Sequence, residues 1–448
     1  MLSFGSVVSV SRAFSVLLAS YPGVFSVFSN RTMASTATSV SFPPKTALIL
    51  TKLTRYEFEK RRHPDLSETE LRQRLTERGS DFDMMLQRHL IHKNCEKMLQ
   101  DALQRHGVET RLVYRFEYNI ELVRWADMII SNGGDGTFLL AASKVTNQTK
   151  PVIGINSDPS RSEGHLCLPK MYSGRPGDAI DRIFQGDFDW MYRKRIRIAI
   201  KGEDVFDTPV ELHDQQLLHP EYRFLDEHHP VEGENKEVPT LMEHKPEKDN
   251  RKLRILPVFA LNDVFIGETL SARVSYLEMT IEGGDRFKQK CSGLICSTGT
   301  GSTSWTFNVS KVTHQCVESI LAITREETDK AMDVTNDLVE RVSHRFNNQL
   351  LISPEEPRMI YTIRDPITFG VMPSPMERMP RGFARKLQVR SRCFDACLVV
   401  DGGLSYAFND GTEATLEILD EDALRTIVFR DAPPSVASLH HGIQLNHI

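Results

Sequence analysis

The sequence predicts an α/β protein with a doubly wound, mostly parallel sheet in its first part and many β-strands in its second part. Three observations predict this class. Short apolar runs alternate with helical patterns from residue 46 to about 190. A glycine-rich segment directly follows one of those runs. Beyond residue 190, apolar residues recur at every second position in several stretches, which is the period of a half-buried strand.

Four apolar runs predict the strands of the first part, namely residues 46–50, 110–114, 127–131 and 151–156. Between the first two, residues 82–106 carry apolar side chains three and four positions apart, which indicates a helix. Gly107 ends that helix pattern. Ligands of such sheets bind beyond the carboxyl ends of the strands, so we expect the functional site at that edge.

The second part contains period-two stretches at residues 195–200, 258–266, 274–281 and 387–400. Two insertions are expected to interrupt it. Residues 202–250 are acidic and poor in periodicity, which favours a surface loop. Residues 312–351 carry apolar side chains at helical spacing, which predicts amphipathic helices for packing or a dimer surface. We therefore expect an α/β nucleotide-binding domain over 46–190, a β-rich domain over 191–430, and a tail over 431–448.

Composition excludes several kinds of partner and site. The 448 residues carry a formal net charge of −5, which argues against nucleic acid or anionic membrane as a partner recognised by bulk charge. The seven cysteines follow no disulfide framework, so we expect free thiols. The histidines of the acidic insertion follow no zinc-site spacing. No metal ligand is assigned to a protein side chain.

The first 41 residues have the composition of a mitochondrial transit peptide. No Asp or Glu occurs before Glu57, and serine and apolar residues dominate the segment, with Arg12 and Arg31 as its charges. Acid-free, serine-rich and arginine-bearing leaders are typical of mitochondrial import. A secretory signal is the alternative, but Arg12 lies inside the apolar stretch rather than before it. We expect a mitochondrial matrix protein whose fold begins near residue 46.

The strongest chemical signal is Gly133-Gly134-Asp135-Gly136-Thr137, which directly follows a predicted strand. Glycines allow the backbone to approach phosphate oxygens, and the N-terminus of the following helix offers free N–H groups. Asp135 in such a loop would either accept a proton from an attacking hydroxyl or help to hold magnesium. The alternative is an ordinary glycine-rich turn in which Asp135 caps the helix.

Two further segments favour a nucleotide site. The pair Asn262-Asp263 ends a predicted strand, where an amide beside a carboxylate can bind ribose hydroxyls; a simple turn is the alternative. The segment 297–305 is dense in hydroxyls and glycines and ends at Trp305. It suits a nest for phosphate or ribose with an aromatic ring for stacking, and a flexible loop is the alternative.

These three motifs, in this order, resemble the NAD kinase family and within it the divergent mitochondrial branch. The glycine-rich motif is shared with phosphofructokinases and with diacylglycerol and sphingosine kinases, whereas the two later segments are more specific. The resemblance implies an ATP-dependent phosphotransferase that makes NADP from NAD, with Mg²⁺ accompanying ATP, and a homodimer. A lipid or sugar kinase and a non-catalytic dinucleotide sensor are the alternatives.

The resemblance also implies roles for individual residues. Asp135 would be the general base for the ribose 2′-hydroxyl. The residues that would contact ATP or its phosphates are Gly133, Gly134, Gly136 and Thr137. The residues that would bind NAD are Asn156, Asn262, Asp263, Thr298, Gly301, Ser302, Thr303 and Trp305. A further segment, Asp401-Gly402-Gly403, resembles the family's C-terminal turn, although a hairpin explains its glycines equally well.

Asp263 and Trp305 stand where the family has Glu and Tyr, and three further features depart from its pattern. The loop after Asn156 is longer and more charged than usual, and its Arg161 is a candidate phosphate contact. Ser292 stands where the family has an acid near the nicotinamide contacts. The helical insertion after Trp305 displaces another family segment. Neither the choice between NAD and NADH nor the choice between ATP and polyphosphate follows from the sequence.

Overall fold

The structure is a computed structural model that describes residues 44–203, 205–213, 252–328, 332–367 and 379–431. All of them belong to one compact unit, Phe42–Ile448. The predicted leader, most of the acidic insertion and nearly all of the C-terminal tail lie outside the described residues. Among the helices of the described part, none combines the length and hydropathy needed to span a bilayer.

The first part of the chain forms a four-stranded, fully parallel sheet in the order β2-β1-β3-β4. The strands are β1 (Thr46–Thr51), β2 (Glu109–Val113), β3 (Met128–Asn132) and β4 (Val152–Ile155). The helices are α1 (Arg55–Arg62), α2 (Glu68–Glu77), α3 (Phe82–Arg105), α4 (Ile120–Trp125), α5 (Asp135–Ser143) and α6 (Pro176–Gln185). The predicted α/β class is confirmed.

Helices cover both faces of this sheet, as β1 demonstrates. Its side chains alternate between the two faces because the strand period is two residues. Ala47 and Ile49 pack in a core with α3 and α6. Leu48 and Leu50 pack in a second core with α4 and α5. A strand buried on both faces is therefore a continuous apolar run, which is the pattern that predicted it.

The second part of the chain consists mainly of two antiparallel sheets, in the orders β11-β10-β15-β18-β6-β8 and β14-β13-β12-β9-β16-β17-β7. The strands are β5 (Asp189–Arg193), β6 (Ile196–Gly202), β7 (Val210–Glu211), β8 (Lys252–Ala260), β9 (Asp263–Glu268), β10 (Ser275–Ile281), β11 (Phe287–Cys291), β12 (Gly293–Ser297), β13 (Met359–Arg364), β14 (Arg381–Ala384), β15 (Lys386–Ser391), β16 (Ala396–Val400), β17 (Leu404–Ala407), β18 (Glu413–Ile418) and β19 (Leu424–Val428).

One apolar core joins these two sheets. On β6, Ile196, Ile198 and Ile200 are buried and belong to this core, whereas the residues between them are partly exposed. The residues 258–266, which read as one strand in the sequence, form β8 and β9 with a break at Leu261-Asn262. That break places Asn262 in a turn rather than within a strand.

The insertion after Trp305 is helical in the described residues. It forms α7 (Trp305–Ser310), α8 (His314–Thr328) and α9 (Asn336–Asn348). Near the other end of the chain, β19 returns to pair with β5 in a separate two-stranded sheet. Ile427 of β19 and the following Phe429 join the core that contains α3 and α6. The C-terminal strand thus packs on the first part of the chain.

Candidate active site

The glycine-rich loop connects β3 to α5 at the carboxyl edge of the parallel sheet. Gly134 is the N-cap of α5, and no side chain caps that end of the helix. Asp135 is the first helical residue and is half-buried. Its two carboxylate oxygens accept hydrogen bonds from the backbone N–H groups of His165 at 3.1 Å and Leu166 at 2.9 Å. Asp135 therefore anchors a neighbouring loop instead of capping its own helix.

Two glycines of this loop lie in close contact with neighbouring side chains. A Cβ atom on Gly133 would lie 2.3 Å from Oγ1 of Thr137, and one on Gly134 would lie 2.7 Å from Oγ of Ser162. Real Cβ atoms do not approach that closely, so a side chain at either position would require Thr137 or Ser162 to shift. A Cβ atom on Gly136 would meet no atom within 4 Å.

The loop that holds Asp135 is itself fixed by Asn156, which follows β4. The Asn156 side chain is buried, donates to the carbonyl of Ser162 at 3.0 Å and accepts from the N–H of Asp158 at 3.1 Å. Gly164 in the same loop has a φ of +68°, and a Cβ atom there would lie 2.5 Å from Nδ2 of Asn156. Asn156, a predicted NAD contact, thus uses its amide to shape the loop.

Arg193, at the end of β5, is a buried cation that sequence reasoning missed. Its Nη1 donates to Oγ1 of Thr300 at 3.3 Å, and its Nε has no hydrogen-bond partner among the described residues. Burial lowers the pKa of Arg193 to about 10, and the attraction of Asp135 and Cys167 opposes that shift. The guanidinium therefore remains charged at neutral pH beside the carboxylate of the glycine-rich loop.

The turn between β8 and β9 is held by Asp401. Its carboxylate accepts from the backbone N–H groups of Leu261 at 2.9 Å, Asn262 at 2.7 Å and Asp263 at 3.1 Å. Asp401 also has a φ of 49°, in the region that favours glycine. A residue in a strained conformation that binds three N–H groups holds the turn in place. In the Asp401-Gly402-Gly403 segment, Asp401 therefore contacts the backbone of the Asn262 turn.

The Asn262-Asp263 pair has unusual electrostatics. The Oδ1 atom of Asn262 is buried and lacks a hydrogen-bond partner among the described residues, which marks it as a free acceptor. Burial raises the pKa of Asp263 to about 7, and repulsion by Asp401 adds to the effect. Burial likewise raises the pKa of Asp401 to about 6, against the three N–H bonds that favour its charged form.

The segment 297–305 is a packed turn and not a flexible loop. Thr298 and Ser302 are fully buried; Thr298 Oγ1 donates to the carbonyl of Leu261, and Ser302 Oγ accepts from the N–H of Ile352 at 3.0 Å. A Cβ atom on Gly301 would lie 2.2 Å from the carbonyl oxygen of Asn262. These contacts lock the segment to the Asn262 turn, so the two motifs are brought together.

A cavity of about 430 Å³ lies where the Asp135-holding loop, Arg193 and the 297–305 segment meet. Its walls include His165, Arg193, Thr300 and Thr303. Thr303, a predicted NAD contact, thus lines a cavity of the size typical for small-molecule sites. Trp305 is 38% exposed and packs against Phe265 with 5.4 Å between ring centroids.

Within the described ranges, no group of three or more His, Cys, Asp or Glu side chains could hold a metal ion. Mg²⁺ commonly binds through one or two carboxylates together with substrate phosphates, because it retains water and phosphate oxygens in preference to a protein cage.

Comparisons with known proteins find the same family that these motifs resemble. Residues 62–163 match the model of the ATP-NAD kinase N-terminal domain. The chain is 45% identical over 390 residues to the protein named NAD kinase 2, mitochondrial, of Homo sapiens, covering 86% of this chain and 85% of that protein. It is 42% identical over 416 residues to the protein of the same name from Xenopus tropicalis, covering 89% and 94%.

A solved structure is also similar to this chain. It is the crystal structure of an NAD kinase from Archaeoglobus fulgidus in complex with ATP. The TM-score is 0.45 at 17% sequence identity, and the match covers 88% of this chain and 99% of that one.

Proposed function

Because this chain belongs to the NAD kinase family, we propose that it transfers the γ-phosphate of ATP to the 2′-hydroxyl of the adenosine ribose of NAD, with Asp135 as the base. The products are NADP and ADP. The observation that carries this proposal is the half-buried Asp135 carboxylate, which two backbone N–H groups hold at the carboxyl edge of the sheet.

The first step is the orientation of the acceptor ribose by the Asn262 turn. The unpartnered Oδ1 of Asn262 accepts a hydrogen bond from the adenosine portion of NAD, and Asp263 beside it supplies a carboxyl group. Thr303 contributes a hydroxyl from the adjacent cavity wall. Trp305 offers its exposed ring for stacking. Such positioning lowers the barrier by holding the reacting oxygen near its target.

Proton transfer and charge stabilisation follow from the glycine-rich loop. Asp135 accepts the proton of the 2′-hydroxyl, and the freed oxygen attacks the γ-phosphorus in line with the departing ADP. The uncapped N-terminus of α5 and the buried Arg193 stabilise the negative charge that develops on the phosphoryl oxygens. Mg²⁺ accompanying ATP would neutralise further phosphate charge.

The test is the formation of NADP by the full chain with NAD, ATP and Mg²⁺, beside an Asp135→Asn variant. NADP that forms with wild type and falls sharply with the variant supports the reaction and the base together. A folded wild-type chain that binds NAD but makes no NADP, with NADH or polyphosphate supplied as well, would favour a dinucleotide sensor. Because the chain belongs to this family, the lipid and sugar kinase alternatives are disfavoured.

We also propose mitochondrial matrix targeting through residues 1–41, a segment outside the described residues. The relatives' names, which include the word mitochondrial, support this localisation. The composition of the segment supports its role as a transit peptide. Fusion of residues 1–41 to a fluorescent protein should direct the fusion to mitochondria, and N-terminal sequencing of the mature protein would locate the cleavage point. Cytosolic fluorescence would contradict the assignment.

A homodimer and the domain division are proposals of the same kind. Ile320, Ile323 and Phe346 on α8 and α9 are 58%, 57% and 42% exposed, which suits a surface that a second copy covers. Light scattering of the purified chain should give about twice the monomer mass. The division into 46–190 and 191–430, with insertions at 202–250 and 312–351, predicts proteolytic cleavage first within the acidic insertion.

A further inference from the structure

A chain of buried hydrogen bonds centres on His92 of α3. This side chain is fully buried, and its Nδ1 atom lies 2.8 Å from Oγ of Ser157. Its Nε2 atom lies 3.0 Å from Oγ1 of Thr51. The same Thr51 oxygen lies 3.2 Å from Nδ2 of Asn132 and 2.8 Å from Oε2 of Glu96. The imidazole therefore joins the last residues of β1 and β3 to the loop after β4.

Both ends of this chain lie next to segments that shape the surroundings of Asp135. On one side, Asn132 directly precedes Gly133, the first residue of the glycine-rich loop. On the other side, Ser157 directly follows Asn156, whose amide shapes the Asp135-holding loop. A rigid chain between these two segments fixes the backbone on both sides of the proposed base.

The carboxylate of Glu96, which is paired with Lys93 at 2.9 Å, sets the direction of these hydrogen bonds. A carboxylate only accepts, so the Thr51 hydroxyl donates to Glu96 and its oxygen accepts from Nε2 of His92. Burial lowers the pKa of His92 to about 3, so the imidazole is neutral at neutral pH. With its single proton on Nε2, the ring has a bare Nδ1 that accepts from the Ser157 hydroxyl.

The opposite tautomer of His92 does not fit this environment. It would place a bare Nε2 against the Thr51 oxygen, whose own proton goes to Glu96, and would leave a buried acceptor unpaired. The neighbouring amide is oriented in the same way, because Oδ1 of Asn132 accepts from the thiol of Cys95 at 3.4 Å. A single arrangement of protons satisfies the chain, and a fully satisfied buried network is rigid.

We propose that His92 is a positioning residue for Asp135, because its imidazole in a single tautomer locks the segment before the glycine-rich loop to the loop after β4. The inference rests on the proposed kinase function and deepens it. A base acts only within hydrogen-bond reach of the hydroxyl that it deprotonates, and a small displacement lowers turnover. Disruption of the chain should therefore lower kcat. The KM values for NAD and ATP should stay within about threefold of wild type, because the linked side chains are buried.

The experiment compares Ser157→Ala, Thr51→Val and the double variant in the full chain, by steady-state formation of NADP. Each single substitution breaks the chain on one side of the imidazole, and kcat should fall about three- to tenfold. The double variant should fall no further than the more affected single variant, because a chain broken at one end no longer transmits the contact at the other. Independent contacts would instead multiply the two losses, to about ten- to a hundredfold.

Two control variants separate this role from general packing. Ser131→Ala is the matched control, because Ser131 is fully buried on β3 and its hydroxyl has no hydrogen-bond partner among the described residues. Its kcat should equal that of wild type. Thr51→Ser keeps the hydroxyl and should restore the kcat that Thr51→Val loses. Melting temperatures report which variants fold, and Ser157→Ala alone decides the case if Thr51→Val does not.

Nitrogen-15 NMR of the imidazole supplies a readout that a space-filling role would not produce. The His92 signals are identified by their loss in His92→Gln. They should show a protonated Nε2 and a bare Nδ1, with no titration between about pH 6 and pH 8. In Ser157→Ala the Nδ1 signal should shift, because that nitrogen loses its donor.

Unchanged kcat in the folded Ser157→Ala variant, multiplied losses in the double variant, or a proton on Nδ1 would each overturn the assignment. So would a raised KM for either substrate with kcat unchanged. All of these results leave the proposed kinase function standing, provided that wild type makes NADP. Failure of the kinase function has a different signature, because wild type would then make no NADP whatever the tautomer of His92, and the positioning role would fall with it.

Discussion

Replacement of Asp135 by Asn removes a base and also disturbs a loop anchor. Both carboxylate oxygens of Asp135 accept N–H groups, at 3.1 Å from His165 and 2.9 Å from Leu166. The side-chain amide of Asn can accept only one of these two N–H groups, because its NH₂ group is itself a donor and would face the other N–H. We expect a loss of about 1–3 kcal/mol in the free energy of unfolding from the unpaired N–H group. Turnover should fall by about 10²- to 10⁴-fold, because the amide cannot take the proton.

The assay couples NADP formation to an NADP-specific dehydrogenase, at saturating NAD and ATP, and urea denaturation supplies the free energy of unfolding. Gly164→Ala is the control for loop displacement. Gly164 has a φ of +68°, and an added Cβ would lie 2.5 Å from Nδ2 of Asn156, so the variant strains the same loop and leaves the carboxylate in place. Its turnover should fall less than about tenfold.

Two results would refute the reasoning. Turnover of a folded Asp135→Asn variant within about tenfold of wild type would exclude Asp135 as the base. An equal loss of turnover in Asp135→Asn and Gly164→Ala, at equal stability, would mean that Asp135 acts by holding the loop. The predicted change in stability can be checked separately from either result, because it depends only on the N–H contacts.

Three further predictions concern the Asn262 turn. Asn262→Ala removes the free Oδ1 acceptor and should raise the KM for NAD at least about tenfold in steady-state kinetics, with the KM for ATP unchanged; an effect on ATP alone would contradict the role. Gly301→Ala brings a Cβ within 2.2 Å of the Asn262 carbonyl and should cost about 1–3 kcal/mol, seen as a lower melting temperature; an unchanged temperature would contradict the close packing. Asp263 has a folded-state pKa of about 7, above its unfolded value, so its contribution to stability is complete at low pH and is lost as the pH rises through 7. Asp263→Asn removes that loss, and its free energy of unfolding relative to wild type should increase by about 2–3 kcal/mol from pH 5 to pH 8 in urea titrations; a flat difference would show that Asp263 does not titrate in this range.

The parallel strands were predictable because burial on both faces leaves a continuous apolar run. Residues 127–131 were expected as a strand, and the structure has β3 at Met128–Asn132. Helices α1 and α2 were missed, since both are strongly polar and lack a wide apolar stripe. Their capping boxes were the available signal, with Thr54 paired to Glu57 and Ser67 paired to Glu70.

The position of the glycine-rich loop was predictable, because its motif directly follows an apolar strand pattern and precedes a helix. The roles of Thr298 and Ser302 as NAD contacts, which the family resemblance implies, stay predictions; in the structure their hydroxyls bond within the protein. Arg193 carried no local signal. Its environment arises from Thr300, which is 107 positions away in sequence, and only the folded chain brings the two together.

One departure from the family's pattern, the loop after Asn156, falls where side-chain identity has little effect on the position of Asp135. The loop after Asn156 is longer and more charged than the usual pattern, but it holds Asp135 through the backbone N–H groups of His165 and Leu166, which any residue except proline supplies. The side chains of that loop are therefore free to serve other contacts. Arg161 belongs to this loop and lines a cavity together with Lys52 and Arg88, so the loop presents a cation there without moving the backbone that holds Asp135.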